Sequence, residues 1–215
     1  MARTITVKGT GAMSVTPDLV ILTLTFEETR IDYDDAVKSV SVGVAHLNRA
    51  LKSVGYPDGS LKTLSFNVEN EYRTEKDANG NYIKHFVGFC CTERFKLEFP
   101  LDKELLAKTL RVVTVNTLPP ELSISFTVKD TAAVSRELLS LATKNAKEKA
   151  EILCEASGVK LGKLENIIYD WVDLKLVSLT RNCHMPTSYS DESESYFEPD
   201  DIKVNDSASF VWEII

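Results

Sequence analysis

Short stretches of the chain alternate apolar with polar residues. One alternation covers residues 5–7 and a second covers residues 20–26, with Gly9, Gly11 and the pair Pro17-Asp18 between them. A period of two is typical of strands with one buried face. We therefore predict two strands joined by a tight turn, with the two glycines marking a bulge.

Other segments have the spacing of helices. Apolar residues recur every three or four positions from Asp32, which can cap a helix, to Gly55, which can end it. A second long helix is predicted from Asp130 to Gly158, and a short one over residues 102–113. The inner stripe of the second helix contains alanines spaced by four, which let a helix lie close to a sheet: Ala142, Ala146 and Ala150.

The order of elements is compatible with two pseudo-repeats. Further strands are predicted at 61–72, 82–99, 121–128, 163–177 and 202–215, with a hairpin turn at 77–81. Residues 19–99 and 121–215 then each form a β-α-β-β pseudo-repeat, linked by the short helix at 102–113. The predicted class is α+β, with helices packed on antiparallel-rich sheets in a single domain of residues 1–215.

Several residues could in principle support chemistry. Gly9-Thr-Gly11 is similar to a dinucleotide-binding loop, but a strand follows the glycines where that motif needs a helix. The three histidines, His46, His85 and His184, form no metal-ligand spacing. The cysteines form no disulfide framework and are interpreted as free thiols, largely buried. We therefore expect no enzymatic activity, no cofactor and no metal.

The acidic charge is concentrated in one segment. The formal net charge is −7, which disfavours binding to nucleic acid. Residues 180–201 are predicted to form a long loop insertion, and without the six carboxylates of residues 191–201 the net charge is −1. The segment is either a solvated insertion without a partner or a docking segment that orders on a basic surface or on a neighbouring subunit. Its candidate interaction residues are Asp191, Glu192, Glu194 and Glu198.

The C-terminal strand is unusually apolar, and Phe210 and Trp212 share one of its faces. Such a strand either completes a sheet or offers an edge to another subunit. Phe210 and Trp212 are therefore further candidate interaction residues, and we expect a homo-oligomer.

The N-terminal residues lack the apolar core of a signal peptide, and no run approaches the length that a membrane span needs. We therefore expect no transmembrane segment. The chain as printed is expected to be cytoplasmic, or exported or periplasmic if a leader was removed.

Two motifs resemble the SIMPL domain family, formerly a domain of unknown function. The first is the segment of residues 7–18, Val-Lys-Gly-Thr-Gly-Ala-Met-Ser-Val-Thr-Pro-Asp, and the second is the alanine-rich helix followed by Gly158-Val-Lys-Leu-Gly162. The resemblance implies an uncharacterised interaction or scaffold role, related to the bacterial envelope or to stress. It also implies ring-like homo-oligomers in some members and kinase binding in an animal member. It supplies no catalytic residue. The alternative is a small-molecule-binding protein or enzyme with a pocket between the two repeats.

Overall fold

A computed structural model describes residues 3–76, 80–170, 174–179 and 198–215. These residues form three helices and eight strands in two antiparallel sheets, so the predicted α+β class is confirmed. In chain order the elements are β1 (Thr4–Val15), β2 (Leu19–Arg30), α1 (Tyr33–Val54), β3 (Leu61–Lys76), β4 (Tyr82–Pro100), α2 (Lys103–Thr114), β5 (Glu121–Thr127), α3 (Thr131–Ala156), β6 (Leu161–Ile168), β7 (Val177–Leu179) and β8 (Ile202–Ile214).

The chain divides into two compact units. The first unit contains the described residues of Met1–Asp18, Thr127–Ser178 and Pro199–Ile215. The second unit contains the described residues of Leu19–Phe126 and Leu179–Glu198. Whether residues 19–99 and 121–215 are pseudo-repeats stays a prediction. In each unit, helix packs on one sheet. The two sheets differ in strand pairing, because β5 pairs with β2 in the second unit, whereas β8 lies between β1 and β6 in the first.

In the first unit α3 packs closely across a three-stranded sheet of order β1-β8-β6. A Cβ atom at Gly9 would lie 2.0 Å from the carbonyl oxygen of Ala142, and one at Gly11 would lie 2.0 Å from that of Leu138. Ala146 is fully buried opposite Gly9. Glycines on the strand and alanines on the helix therefore bring two backbones into contact.

This packing corrects the prediction for the N-terminal strands. Gly9 and Gly11 pair in unbroken register with Ala208 and Asp206 of β8, so they mark no bulge. The two predicted strands are present and are joined by residues 16–18, but they do not pair with each other: β1 pairs with β8, and β2 pairs with β4. Alternation identifies a strand and its buried face, but it carries no information about which strand lies alongside.

In the second unit α1 and α2 contribute to the core of a sheet in which β3, β4, β2 and β5 lie in that order. The predicted caps of α1 are confirmed. The Asp32 side chain accepts a hydrogen bond from the backbone N–H of Asp34, and Gly55 ends the helix at a φ of 109°. Fully buried apolar side chains from one face of β2 meet those helices: Val20, Leu22, Leu24 and Phe26.

The predicted end of the second long helix at Gly158 is confirmed. The last residue of α3 is Ala156, and Gly158 terminates the helix at a φ of 71°, with its backbone N–H bonded to the Glu155 carbonyl oxygen. One other predicted boundary was wrong, because the strand predicted over 163–177 ends at Ile168 in β6, and the separate strand β7 begins at Val177.

A buried hydroxyl pair ties the end of α1 to α2. Thr109 donates to the Leu105 carbonyl oxygen over 2.6 Å, so the Tyr56 hydroxyl donates to Thr109 Oγ1 over 2.7 Å. Burial raises the pKa of the Tyr56 phenol, and the negative charge of Asp102 raises it further. The folded state therefore favours the protonated phenol.

We expect Tyr56→Phe to reduce the free energy of unfolding by about 1 kcal/mol at neutral pH, because one buried hydrogen bond is lost. A raised folded-state pKa contributes stability below the unfolded-state value of about 10, and that stability is lost as the pH rises through the folded-state value. Urea unfolding from pH 7 to 11 should therefore show a shallower alkaline loss in the variant. Identical alkaline slopes for both proteins would contradict this role of Tyr56.

Candidate interaction surface

A chain of aromatic rings lies along the β3–β4 hairpin and the start of α1. Edge-to-face contacts join Tyr72 to Phe86 at 5.7 Å between ring centroids, Phe86 to Phe89 at 5.4 Å, and Phe89 to Tyr33 at 5.7 Å. These four residues are named the aromatic row. Tyr72 is 52% exposed and Phe86 is 49% exposed, so the row is accessible to a partner.

A bulge in β4 brings these rings onto one face. The register shifts where Glu71 pairs with Gly88 but Tyr72 pairs with Phe86. Gly88 has a φ of 153°, and a Cβ atom there would lie 2.2 Å from the carbonyl oxygen of Arg30. The extra residue at the bulge places Phe86 in phase with Phe89.

The other face of β3 is charged. Alternate residues of a strand point to opposite faces, so the positions between the apolar ones form a separate row: Glu69, Glu71, Arg73 and Glu75. Glu71 accepts a 2.6 Å hydrogen bond from the Thr29 hydroxyl. The strand thus presents aromatic side chains on one face and charges on the other.

The edge of β3 is long and open. This strand has 16 residues and lies at the end of its sheet, where β4 is its one neighbour among the described strands. Fourteen of its residues are exposed, and only Leu61 and Val68 are partly buried. An edge strand presents unpaired backbone donors and acceptors, which another strand can extend.

The edge of β1 differs because α3 covers it. Asn145 Oδ1 accepts a hydrogen bond of 3.1 Å from the backbone N–H of Thr10, and Lys149 Nζ donates one of 3.3 Å to the carbonyl oxygen of Lys8. Both groups on β1 are thus bonded to side chains of the helix instead of to another strand. A new strand at this edge would have to displace those side chains.

The structure places Phe210 and Trp212 in the core of the first unit. They are 2% and 7% exposed, their rings stack with centroids 5.5 Å apart, and they pack with Ala146 and Ala150. The strand β8 that carries them is central, between β1 and β6. Of the two alternatives for the C-terminal strand, it completes a sheet, and neither aromatic side chain is presented at an edge.

Of the predicted acidic interaction residues, Glu198 is described. Its carboxylate lies 2.9 Å from Lys103 Nζ in an exposed ion pair, and this hydrogen bond and charge lower the pKa of Glu198. Asp191, Glu192 and Glu194 lie outside the described residues, as do Cys183 and His184. The structure therefore describes the C-terminal end of the acidic segment.

Cysteine chemistry is limited by burial. Cys91 and Cys154 are buried free thiols, and Cys90 is half-buried. Burial raises the pKa of the Cys91 thiol, and the charges of Glu93 and Cys90 add to the increase. A thiol with a raised pKa is a poor nucleophile near neutral pH, so Cys91 suits packing better than reaction.

The described part of the chain contains neither a candidate metal site nor a helix that could span a membrane. Across residues 3–76, 80–170, 174–179 and 198–215, no three His, Cys, Asp or Glu side chains come together in a way that could hold a metal ion. No helix within these ranges has both the length and the apolar character needed to cross a bilayer.

The fold and surface define an α+β protein with helix-covered antiparallel sheets and an exposed aromatic hairpin. The sequence profile of SIMPL, a protein of unknown function (DUF541), matches residues 5–212. The chain therefore belongs to the SIMPL family, which confirms the resemblance found in its sequence.

No curated protein matches the chain. One similar solved structure is described as a hydrolase from Listeria innocua; it is 10% identical over 95% of this chain and 92% of that one, with a TM-score of 0.20. At that score the similarity carries no conclusion about fold or reaction.

Proposed function

We propose that this SIMPL protein is a non-enzymatic interaction protein that forms homo-oligomers through the β3–β4 hairpin. The observation that supports the proposal is the open edge of β3 beside the aromatic row. Contact between these rings in two copies would bury apolar surface that each copy exposes to water. Aromatic residues are also enriched among those that dominate the energy of interfaces.

The open backbone groups of β3 favour a second copy of the same strand as the partner at this edge. Strand addition satisfies donors and acceptors that an edge leaves to water, and the length of β3 allows many such bonds. Two copies of one strand can pair antiparallel about a two-fold axis, which gives a closed dimer. The edge of β1 is a poorer site because Asn145 and Lys149 already bond to it.

The charge pattern favours one register of that pairing. If Tyr72 faces its counterpart on the two-fold axis, Glu71 of each copy lies opposite Arg73 of the other, and Glu69 lies opposite Glu75. If Asn70 lies on the axis instead, Glu69 faces Glu71, and no glutamate faces an arginine. Opposite charges directly across an antiparallel pair are stabilising and like charges are destabilising. We therefore propose the register centred on Tyr72, because only this one of the two offsets its like-charge pairs with Glu71–Arg73 pairs.

The aromatic contribution is tested with Tyr72→Ser/Phe86→Ser. We expect dimerisation to weaken by at least about 30-fold, which corresponds to a loss of about 2 kcal/mol at a hot spot. Light scattering after size-exclusion chromatography over a concentration series measures this change. Ile152→Ser is the control, because Ile152 is 64% exposed on α3, outside the hairpin. A wild-type protein that stays monomeric at high concentration would refute the proposal.

The proposed register is tested by reversing charges. Arg73→Glu places Glu71 opposite a glutamate in the other copy, so we expect the dimer to weaken. Glu71→Arg/Arg73→Glu restores opposite charges across the axis and should recover much of the association. Equal association of the single and double variants would reject this register while leaving other modes of oligomerisation open.

The cellular setting is a further proposal. From the family resemblance we propose a scaffold role in stress tolerance or at the envelope. From the acidic composition of residues 180–201 we propose that a protein with a basic surface docks on that segment. Glu198 is the acidic interaction residue of that segment that the structure describes. Its part in docking is tested by comparing the affinity of the wild type and of Glu198→Gln for a Lys-rich peptide. Survival of a deletion strain under envelope and oxidative stress tests the setting, and unimpaired survival would argue against it.

A further inference from the structure

A groove lies between α1 and the C-terminal end of α2 in the second unit. Its volume is about 290 Å³, near the lower end of the range for small-molecule sites. The lining is largely apolar and includes Ala50, Val112 and Val115, while His46, Arg49 and Thr117 are among its polar members. It shares no residue with the aromatic row.

The wall of this groove is held in place by Asn116. Its Nδ2 donates a 3.0 Å hydrogen bond to the carbonyl oxygen of Gly43 on α1, and its Oδ1 accepts bonds from the backbone N–H of Leu118 and the Thr117 hydroxyl. The loop after α2 is therefore tied to α1. A preformed wall lowers the cost of ordering protein groups around a ligand.

The polar groups of the groove favour an anion. The Arg49 Nε donates a hydrogen bond to the Ala45 carbonyl oxygen over 3.4 Å. The two terminal guanidinium nitrogens take no part in this bond. No ion pair involving Arg49 occurs among the described residues. The lining contains no carboxylate, although the whole chain is acidic. The Arg49 guanidinium therefore lies beside apolar side chains, and no carboxylate in the groove lining neutralises its charge.

We propose that this groove binds a small monocarboxylate with an apolar or aromatic body. The planar guanidinium of Arg49 suits the two oxygens of a carboxylate, and His46 can donate a hydrogen bond from its ring. The apolar body would lie against Ala50, Val112 and Val115, whose contact with it removes apolar surface from water. The volume of about 290 Å³ is sufficient for a single substituted ring.

Titration with benzoate, followed by amide chemical shifts, tests the proposal. We expect saturable shifts confined to residues of the groove, with benzamide binding at least ten-fold more weakly because it lacks the charge. Arg49→Gln should weaken benzoate binding by a similar factor. Lys52→Gln is the matched control, because Lys52 lies on the same helix but pairs with Asp58 outside the groove lining.

The outcomes are decisive in either direction. Absence of saturable benzoate binding, equal binding of benzamide, or unchanged affinity in Arg49→Gln would each overturn the proposal. Circular dichroism of each variant verifies that the fold is retained. The experiment does not depend on oligomerisation, so its result is independent of the proposed role of the hairpin.

Discussion

Substitution of either Gly9 or Gly11 by alanine is expected to destabilise the first unit by about 3 kcal/mol, at the upper end of the usual cost of overpacking. The added methyl group would approach a backbone oxygen of α3 to 2.0 Å at either site. A backbone carbonyl in a helix cannot rotate away as a flexible side chain can. The helix must therefore move off the sheet, which opens the cluster containing Phe210 and Trp212.

Chemical denaturation of each variant, followed by tryptophan fluorescence, measures this loss. Thr10→Ala is the matched control, since its side chain is exposed on the same strand and its backbone bond to Asn145 remains possible. We expect that control to stay within about 0.5 kcal/mol of the wild type. Unchanged stability of Gly9→Ala would contradict the close approach of α3.

Phe26→Ala is the second substitution with a large expected effect, about 3 to 5 kcal/mol in the second unit. Phe26 is fully buried on β2, and its ring meets that of Phe95 edge to face at 6.0 Å. Truncation removes apolar surface from the core and leaves a cavity that the surrounding strands and helices fill incompletely. The aromatic pair adds to the loss.

Hydrogen exchange locates this effect in the chain. Protection should fall most in β2, β4 and α1, whose residues share the core with Phe26. Phe66→Ala is the matched control because Phe66 is 51% exposed, so its truncation should cost far less when measured at low protein concentration. Equal losses from the two phenylalanine substitutions would show that burial does not set the cost.

The helices were predictable because their determinants are local. An aspartate at each N-terminus accepts a backbone hydrogen bond within two or three residues, as Asp32, Asp102 and Asp130 do. The spacing of apolar residues likewise predicts which face of α1 is buried. The alanines at 142, 146 and 150 predicted close packing of α3, and all three are fully buried.

The candidate surface was not predictable in the same way. Tyr72, Phe86 and Phe89 form one row only because a bulge at Gly88 changes the phase of β4. Gly88 in an otherwise strand-like segment is the signal in the sequence that could have indicated a bulge. Whether β3 is an edge strand depends on the order of the whole sheet, which alternation does not encode.

The α+β class, the family, the helices with their caps and most of the strands could be predicted from the chain's residues. These properties follow from periodicity, capping and turn preferences acting over a few residues, and from motifs that the family shares. Three features depend on the folded arrangement: the pairing of β1 with β8, the burial of Phe210 and Trp212, and the open edge of β3. Strand pairing joins residues about 200 positions apart, such as Gly9 and Ala208, so the partner is selected by the packing of the whole unit.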